Sequence, residues 1–326
     1  MKHSYKLQGF GYGLRPAEVE DAEFIVSLRT SNDERNRFVH AFTIGIEEEK
    51  KWLEHYYSVE GDYLFIIYNV VTGEDEGLIA IYHQDGKKAE WGRWSTLEGS
   101  LAATESVLLL YRIAFEQMRL DELYCLTNMD NKAVVSFHDS SGELFRRVVP
   151  NLYHLDGKNQ DAAEHYSNPV HFVSELKPRL EKLSIRIMKK NIKEYAGEIT
   201  FDHLGIATKS IEKEIANYLF MGYQPEGFFF EDSEQGVRGV FLELKNHPKI
   251  ELLENLPGCS TLNNYIKTNN KIYHRAYLVT NIENAIDYFR RNKARVISPL
   301  KKSVYFKKRI CFVMLPNMEL IELIER

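Results

Sequence analysis

Apolar positions recur at helical spacing over residues 101–118, where Leu101, Val107, Leu110, Ile113 and Phe115 give one strong apolar side. Segments 20–29, 47–57 and 131–141 carry weaker versions of the same period and are predicted helices. Between them lie short runs rich in β-branched and aromatic residues at 12–16, 63–71, 78–82, 89–95 and 123–126, which predict strands. Residues 12–175 therefore read as an alternating α/β domain. Residues 176–195 are rich in Lys and Arg and repeat apolar Leu180, Leu183, Ile187 and Met188 at helical spacing. That pattern predicts a basic linker helix, with the domain boundary at 176–199.

Beyond residue 199 the pattern repeats itself. Ser210 and Asn281 are 71 residues apart, and each is a good N-cap for the helix that follows. Ile211, Ile215 and Tyr218 recur at the same offset as Ile282, Ile286 and Phe289. Apolar strand runs close each copy, at 239–244 with 250–253 and at 310–315 with 319–324. A period of that size, present twice, describes a paired module.

The same offset relates four polar residues. His203 and His274 are 71 apart, and so are Glu251 and Glu322. Each copy puts one imidazole on its first strand and one carboxylate on its last. Any one of them alone reads as a hydrogen-bonded core histidine or an edge charge. Four at equivalent places inside apolar strands are costly to bury unless paired. They form a ligand set for a divalent metal, and two nitrogens with two oxygens suit Mn, Fe, Co, Ni or Zn.

Residues 201–326 resemble the vicinal oxygen chelate superfamily, the glyoxalase-like fold of paired βαβββ modules, and within it the methylmalonyl-CoA epimerase branch. The matching stretches are Phe201-Asp202-His203-Leu204-Gly205-Ile206, Glu234-Gln235-Gly236-Val237, Ile250-Glu251-Leu252-Leu253-Glu254, Tyr273-His274 and Leu320-Ile321-Glu322-Leu323. The resemblance implies metal ligation by His203, Glu251, His274 and Glu322. It also implies epimerase, isomerase or lyase chemistry in which a carboxylate at the metal, Glu322, moves a proton. Some epimerases carry a catalytic glutamate just after the Glu-Gln-Gly-Val turn, where this chain has Arg238-Gly239.

Composition narrows the class. The chain has 326 residues, enough for two cores, and a net charge of −5, which builds no general field for nucleic acid. Its three cysteines, Cys125, Cys259 and Cys311, form no CxxC pair, so neither a disulfide framework nor a zinc ribbon is expected. No apolar run approaches the ~20 residues that cross a bilayer, and the first residues lack a signal-peptide pattern. The expectation is a cytoplasmic protein with no membrane and no nucleic-acid partner.

In the N-terminal domain, Glu98-Gly99-Ser100 turns the chain from a strand into the 101–118 helix. A helix N-terminus presents free N–H groups that suit a pyrophosphate, although most such glycines only turn the chain. The stretch Gly13-Leu14-Arg15-Pro16-Ala17-Glu18 resembles the opening of the GNAT acyltransferase superfamily. So do Leu120-Asp121-Glu122-Leu123-Tyr124 and Asn131-Lys132-Ala133 through Ser136-Phe137-His138 to Gly142. The likeness is strongest to acetyltransferases acting on nucleotide-linked amino sugars in surface-polysaccharide or nonulosonic-acid pathways.

That resemblance implies acetyl-CoA or another acyl-CoA as donor, held at Gly99, Ser100, Leu101, Ala102 and Asn131. The usual phosphate loop has more glycines than Thr96-Leu97-Glu98-Gly99-Ser100-Leu101-Ala102. His138 stands where many relatives carry a tyrosine acid for the departing thiolate, a role histidine can fill. A backbone N–H near Trp91–Trp94 would hold the carbonyl oxygen, and Glu90 is the nearest acceptor for the amine proton. Glu90 and His138 also read as ordinary surface residues. Three residues apart on a strand, Trp91 and Trp94 are expected on opposite faces. Arg29, Arg37 and Phe38 fall where the family builds its acceptor wall.

The fold class expected is mixed α+β: a GNAT-type α/β domain over 1–175, a basic helical linker over 176–199 and paired βαβββ modules over 200–326. The expected function is bifunctional, N-acyl transfer to an amine such as a nucleotide-linked amino sugar, with a metal-dependent second domain. The alternatives are a metal enzyme with a degenerate acyl-CoA module, or a non-catalytic small-ligand binder. A homodimer is left open.

Overall fold

The computed structural model describes residues 2–31, 38, 45–155 and 157–326, in two compact units, Met1–Lys190 and Asn191–Arg326. Arg37 lies outside the described residues. The division between units falls inside the basic helix predicted at 176–195, which runs from Lys177 to Ala196.

The first unit is built on one eight-stranded sheet. Its strands are β1 (Leu7–Gln8), β2 (Tyr12–Pro16), β3 (Tyr63–Asn69), β4 (Asp75–Asp85), β5 (Lys88–Thr96), β6 (Glu122–Asn128), β7 (Leu144–Leu155) and β8 (Lys158–Ser167). They lie in the order β1-β2-β3-β4-β5-β6-β8-β7. Helices α1 (Ala22–Thr30), α2 (Ile46–Tyr56), α3 (Ala103–Arg112), α4 (Lys132–Ser141) and α5 (Lys177–Ala196) accompany it. Side chains alternate across the sheet. Phe65 and Ile67 of β3 with Ile79 and Ile81 of β4 join α3 in one core, whereas Leu64, Ile66, Leu78 and Ala80 join α1 and α2 in the other. Burial on both faces explains why β3 reads as a continuous apolar run.

The pairing of β5 with β6 is parallel and short: only Lys88–Glu90 meets Glu122–Tyr124. Beyond Glu90 the ladder ends, and the two strands bound an open wedge. β5 also carries a bulge. Its register against β4 passes from Gly92↔Ala80 to Ser95↔Leu78, and Arg93 sits at φ +46°. The extra residue resets strand parity. Trp91 and Trp94, expected on opposite faces, therefore share one core with ring centroids 5.9 Å apart.

The second unit holds a nine-stranded sheet: β9 (Ile199–Ala207), β10 (Gln224–Asp232), β11 (Val237–Glu243), β12 (Lys249–Asn255), β13 (Ile272–Val279), β14 (Arg295–Val296), β15 (Lys301–Lys302), β16 (Arg309–Met314) and β17 (Leu320–Glu325). The order is β10-β11-β12-β9-β13-β17-β16-β14, with β15 on β16. The two modules therefore meet at β9 and β13, which are antiparallel, and each pairs in parallel with its own module's last strand.

Helices α6 (Ile211–Phe220) and α8 (Ile282–Arg291) are capped by Ser210 and Asn281, whose side chains accept from Lys213 N–H and Asn284 N–H. A short helix, α7 (Asn263–Lys267), lies between the modules in sequence. The duplication extends to ion pairs. Arg238 bonds Glu254 at 3.0 Å and Glu212 at 2.7 Å, and 71 residues on Arg309 bonds Glu325 and Glu283. Arg238, at the place where some epimerases carry a glutamate, is thus half of a repeated strand-to-helix clasp.

Two candidate active sites

The wedge between β5 and β6 opens into a cavity of about 340 Å³. Glu90, Trp91 and Trp94 line it from β5, Cys125 and Asn128 from β6, and Asn131 and His138 from the α4 region. Neither Glu90 nor His138 is a surface residue: they are 8 % and 1 % exposed. Glu90 accepts from the Tyr82 hydroxyl at 3.1 Å and lies 3.1 Å from His83 Nδ1. His138 Nδ1 lies 3.0 Å from Glu143 Oε2, and its Nε2 lies 3.6 Å from Cys125 Sγ. Burial, followed by the Glu143 charge, pushes the Cys125 thiol well above its ordinary range.

The predicted cofactor residues fall into two groups. Asn131 lines the cavity and caps α4, accepting from Val134 N–H. Gly99, Ser100, Leu101 and Ala102 form the turn before α3 and are not among the cavity's lining residues. Ser100 Oγ accepts from Ala102 N–H at 3.1 Å and donates to Glu76 at 2.6 Å. The N-cap of α3 is Ala102, and no side chain caps the helix. Glu105, in the first turn, is aimed elsewhere: its carboxylate accepts from Phe10 and Gly11 N–H, and burial raises it to about 7. Arg29 and Phe38, expected at the acceptor wall, both line the cavity. Arg29 is 7 % exposed and paired with Glu49 at 3.0 Å.

In the second unit the four repeat-related residues converge. Alternation on β9 turns Leu204 and Ile206 toward α6 and leaves His203 and Gly205 on the opposite face. Two rows then cross the sheet in register. One runs Phe241–Glu251–Gly205–His274, the other Phe312–Glu322–Ala276–His203. Each carboxylate thus meets the other module's imidazole across a small residue. Gly205 has no room for more, because a Cβ there would stand 2.3 Å from His274 Cε1.

The ligand atoms are tightly grouped. His203 Nε2 lies 3.1 Å from His274 Nε2, 3.3 Å from Glu251 Oε2 and 3.6 Å from Glu322 Oε2. His274 Nε2 lies 3.2 and 3.4 Å from the same two carboxylate oxygens. All four residues are buried. Donors at the corners of a tetrahedron with bonds of roughly 2.0–2.2 Å stand about 3.3–3.6 Å apart, so the set fits a divalent ion. Asp202 Oδ2 lies 2.8 Å from His203 Nδ1, which turns Nε2 toward the cluster. Tyr273 replaces that aspartate in the second copy, and His274 Nδ1 is buried with no hydrogen-bond partner among the described residues.

Electrostatics divides the four. Burial pushes Glu322 up to about 8, with the Glu251 charge adding to the rise. Burial also opposes the Glu251 charge, but bonds from His203 and His274 outweigh it and hold the carboxyl at about 2. His274 is lowered by burial. His203 is raised to about 10, because Asp202 and Glu251 outweigh its burial.

Sequence reasoning missed Glu143, Asp202 and the two rows. Glu143 follows His138 by five residues with nothing in spacing to mark it. Gly205 with Ala276, and Phe241 with Phe312, are each 71 apart and were available from the repeat.

Residues 12–142 match the family model of the acetyltransferase (GNAT) domain. Residues 202–312 match that of the glyoxalase/bleomycin resistance protein/dioxygenase superfamily. The chain therefore carries a GNAT acetyltransferase domain followed by a glyoxalase-like domain. Among similar solved structures is a spermidine N-acetyltransferase from Vibrio cholerae in complex with CoA and spermine. It is 15 % identical, with a TM-score of 0.47, covering 51 % of this chain and 100 % of that one. Another is apo FdhC, a nucleotide-linked sugar GNAT, at 24 % identity and a TM-score of 0.44, covering 57 % of this chain and 97 % of that one. No curated protein matches the chain. Among the described residues no helix is long and apolar enough to cross a membrane.

Proposed function

We propose that the chain is a bifunctional enzyme whose first unit transfers an acetyl group from acetyl-CoA to a primary amine. The observation that carries this reading is the placement of Glu90 and His138, a carboxylate and an imidazole, on the walls of one cavity where β5 and β6 part. The neutral amine attacks the thioester carbonyl carbon. The C–S bond breaks, the amine's proton passes to Glu90, and the CoA sulfur takes a proton from His138. The bulge at Arg93 interrupts the β4–β5 ladder beside the cavity, a place for an N–H to meet the carbonyl oxygen. The uncapped start of α3 suits the donor's pyrophosphate.

Tyr82 and Trp94 give the cavity flat walls for a ring, and among its described lining residues Glu90 is the one carboxylate. A nucleotide-linked amino sugar fits these walls better than a polyamine, which calls for several acids. Release of CoA thiol is the test. Acetyl-CoA with a nucleotide-linked amino sugar is expected to give turnover well above its hydrolysis alone. Turnover with spermine only would overturn the acceptor, and none with any amine would overturn the reaction.

The second unit, in this reading, holds a divalent ion at His203, Glu251, His274 and Glu322. The ion would supply Lewis-acid polarisation of a substrate oxygen. Glu322, a buried carboxylate among the four, is the group that would carry a proton to and from carbon beside the ion. Phe306 stacks on His203 and Tyr305 packs on Phe241, so aromatic rings flank the cluster.

A further inference from the structure

We propose that Glu143 is the positioning residue of the acyl-transfer site, engaging His138 Nδ1 so that Nε2 is the nitrogen that donates to the departing thiolate. The inference rests on the acyltransferase reading and extends it to a residue outside the cavity.

The geometry is that of a buried carboxylate–imidazole pair. Glu143 Oε2 lies 3.0 Å from His138 Nδ1, and the two side chains are 0 % and 1 % exposed. Glu143 immediately follows Gly142, which ends α4 at φ +98°. That left-handed turn folds the chain back so that a residue five positions on meets the ring. Cys125 Sγ lies 3.6 Å from Nε2 and 3.8 Å from Nδ1, and with Nδ1 engaged by Glu143, Nε2 is the nitrogen left to donate.

The groups around the ring leave this task to Glu143. From β8, His165 stacks on His138 with centroids 5.2 Å apart, and its Nε2 lies 3.0 Å from Asp139. From β6, Cys125 presents a thiol that stays neutral because burial raises it. From β5, Trp91 meets the ring edge-on at 5.3 Å, and its N–H donates to Tyr111 of α3 at 3.2 Å. Burial and the Glu143 charge hold the Tyr111 hydroxyl neutral as well. The stacked His165 gives the His138 ring no anion, and Asp139 faces His165. Among the described groups in contact with the His138 ring, Glu143 is the carboxylate. An imidazolium at this depth needs it, since an unpaired buried charge is costly.

The sign follows. His138 must carry its proton to act as the acid, so activity falls at high pH as that proton is lost. Removing the carboxylate's charge makes the imidazolium less stable. Glu143→Gln is therefore expected to move the alkaline limb of the kcat profile to lower pH by about one unit or more, and to lower kcat at neutral pH on the order of tenfold. KM for acetyl-CoA should stay near the wild-type value. Glu143→Asp should restore part of the loss. In a His138→Phe background the Glu143→Gln change should cost little more, because its effect runs through the ring.

The result that overturns the proposal is an alkaline limb that does not move in Glu143→Gln, or an equal loss with and without His138. The Glu143→Asp variant and the KM readout keep the test open if Glu143→Gln folds poorly. If the wild-type chain transfers no acetyl group at all, it is the acyltransferase reading that fails.

Discussion

Alanine at His138 is expected to lower kcat for acetyl transfer by roughly 10²–10⁴-fold, the range that a positioned acid contributes. The side chain is 1 % exposed and lines the cavity, so its loss removes a proton donor from a dry wall. KM for acetyl-CoA should change little, because the donor's pyrophosphate is assigned to the turn before α3, away from the ring. Steady-state kinetics of thiol release, read beside the thermal midpoint, check this. A drop in kcat below about tenfold with an intact fold would remove His138 from the chemistry and leave it a packed core histidine.

Divalent metal binding by the second unit is expected to release protons and to tighten steeply with pH. Two of the four ligands are ready near neutrality, since Glu251 is held at about 2 and His274 is lowered by burial. The other two are not. Glu322 stands at about 8 and His203 at about 10, so each carries a proton that the ion must displace. Affinity should rise at least about tenfold per pH unit between pH 6 and 8, with at least one proton released per ion.

Stability of the metal-free unit follows the same groups. Both are raised above their unfolded values, so each favours the fold at low pH and loses that effect as pH rises. The losses run from about 4.5 to 8 for Glu322 and from 6.5 to 10 for His203. The metal-free midpoint should therefore fall as pH climbs from 6.5 to 9, and bound metal should remove the fall. Calorimetry in buffers of different ionisation heat counts the protons. Affinity that is flat with pH and releases none would contradict the assignment. Gly205→Ala should weaken binding although no donor is touched, because the new methyl meets His274 Cε1.

Much of this architecture was legible in the chain. The 71-residue offset gave the modules, their capped helices and the four residues that converge, because duplication prints the same contacts twice. The helices and inner strands of the first unit were legible where burial falls on one side of a helix or both faces of a strand. The hairpin of β7 and β8 was not. Its strands carry Arg146, Arg147 and Glu164, and the last is buried only because both arginines bond it at 2.7 Å. Such a strand looks polar until its partners are known. The burial of Glu90 and His138 was hidden for the same reason, and the tryptophan parity failed because no residue type announces a bulge at Arg93. The clasp of Arg238 was present in the repeat and unread.

The most direct test of the account is a calorimetric titration of the metal-loaded full chain with acetyl-CoA. One site per chain, with thiol release on adding an amino-sugar nucleotide, is the predicted result. Absence of binding would contradict the account at its centre, because the wedge between β5 and β6 would then be a cavity without a donor.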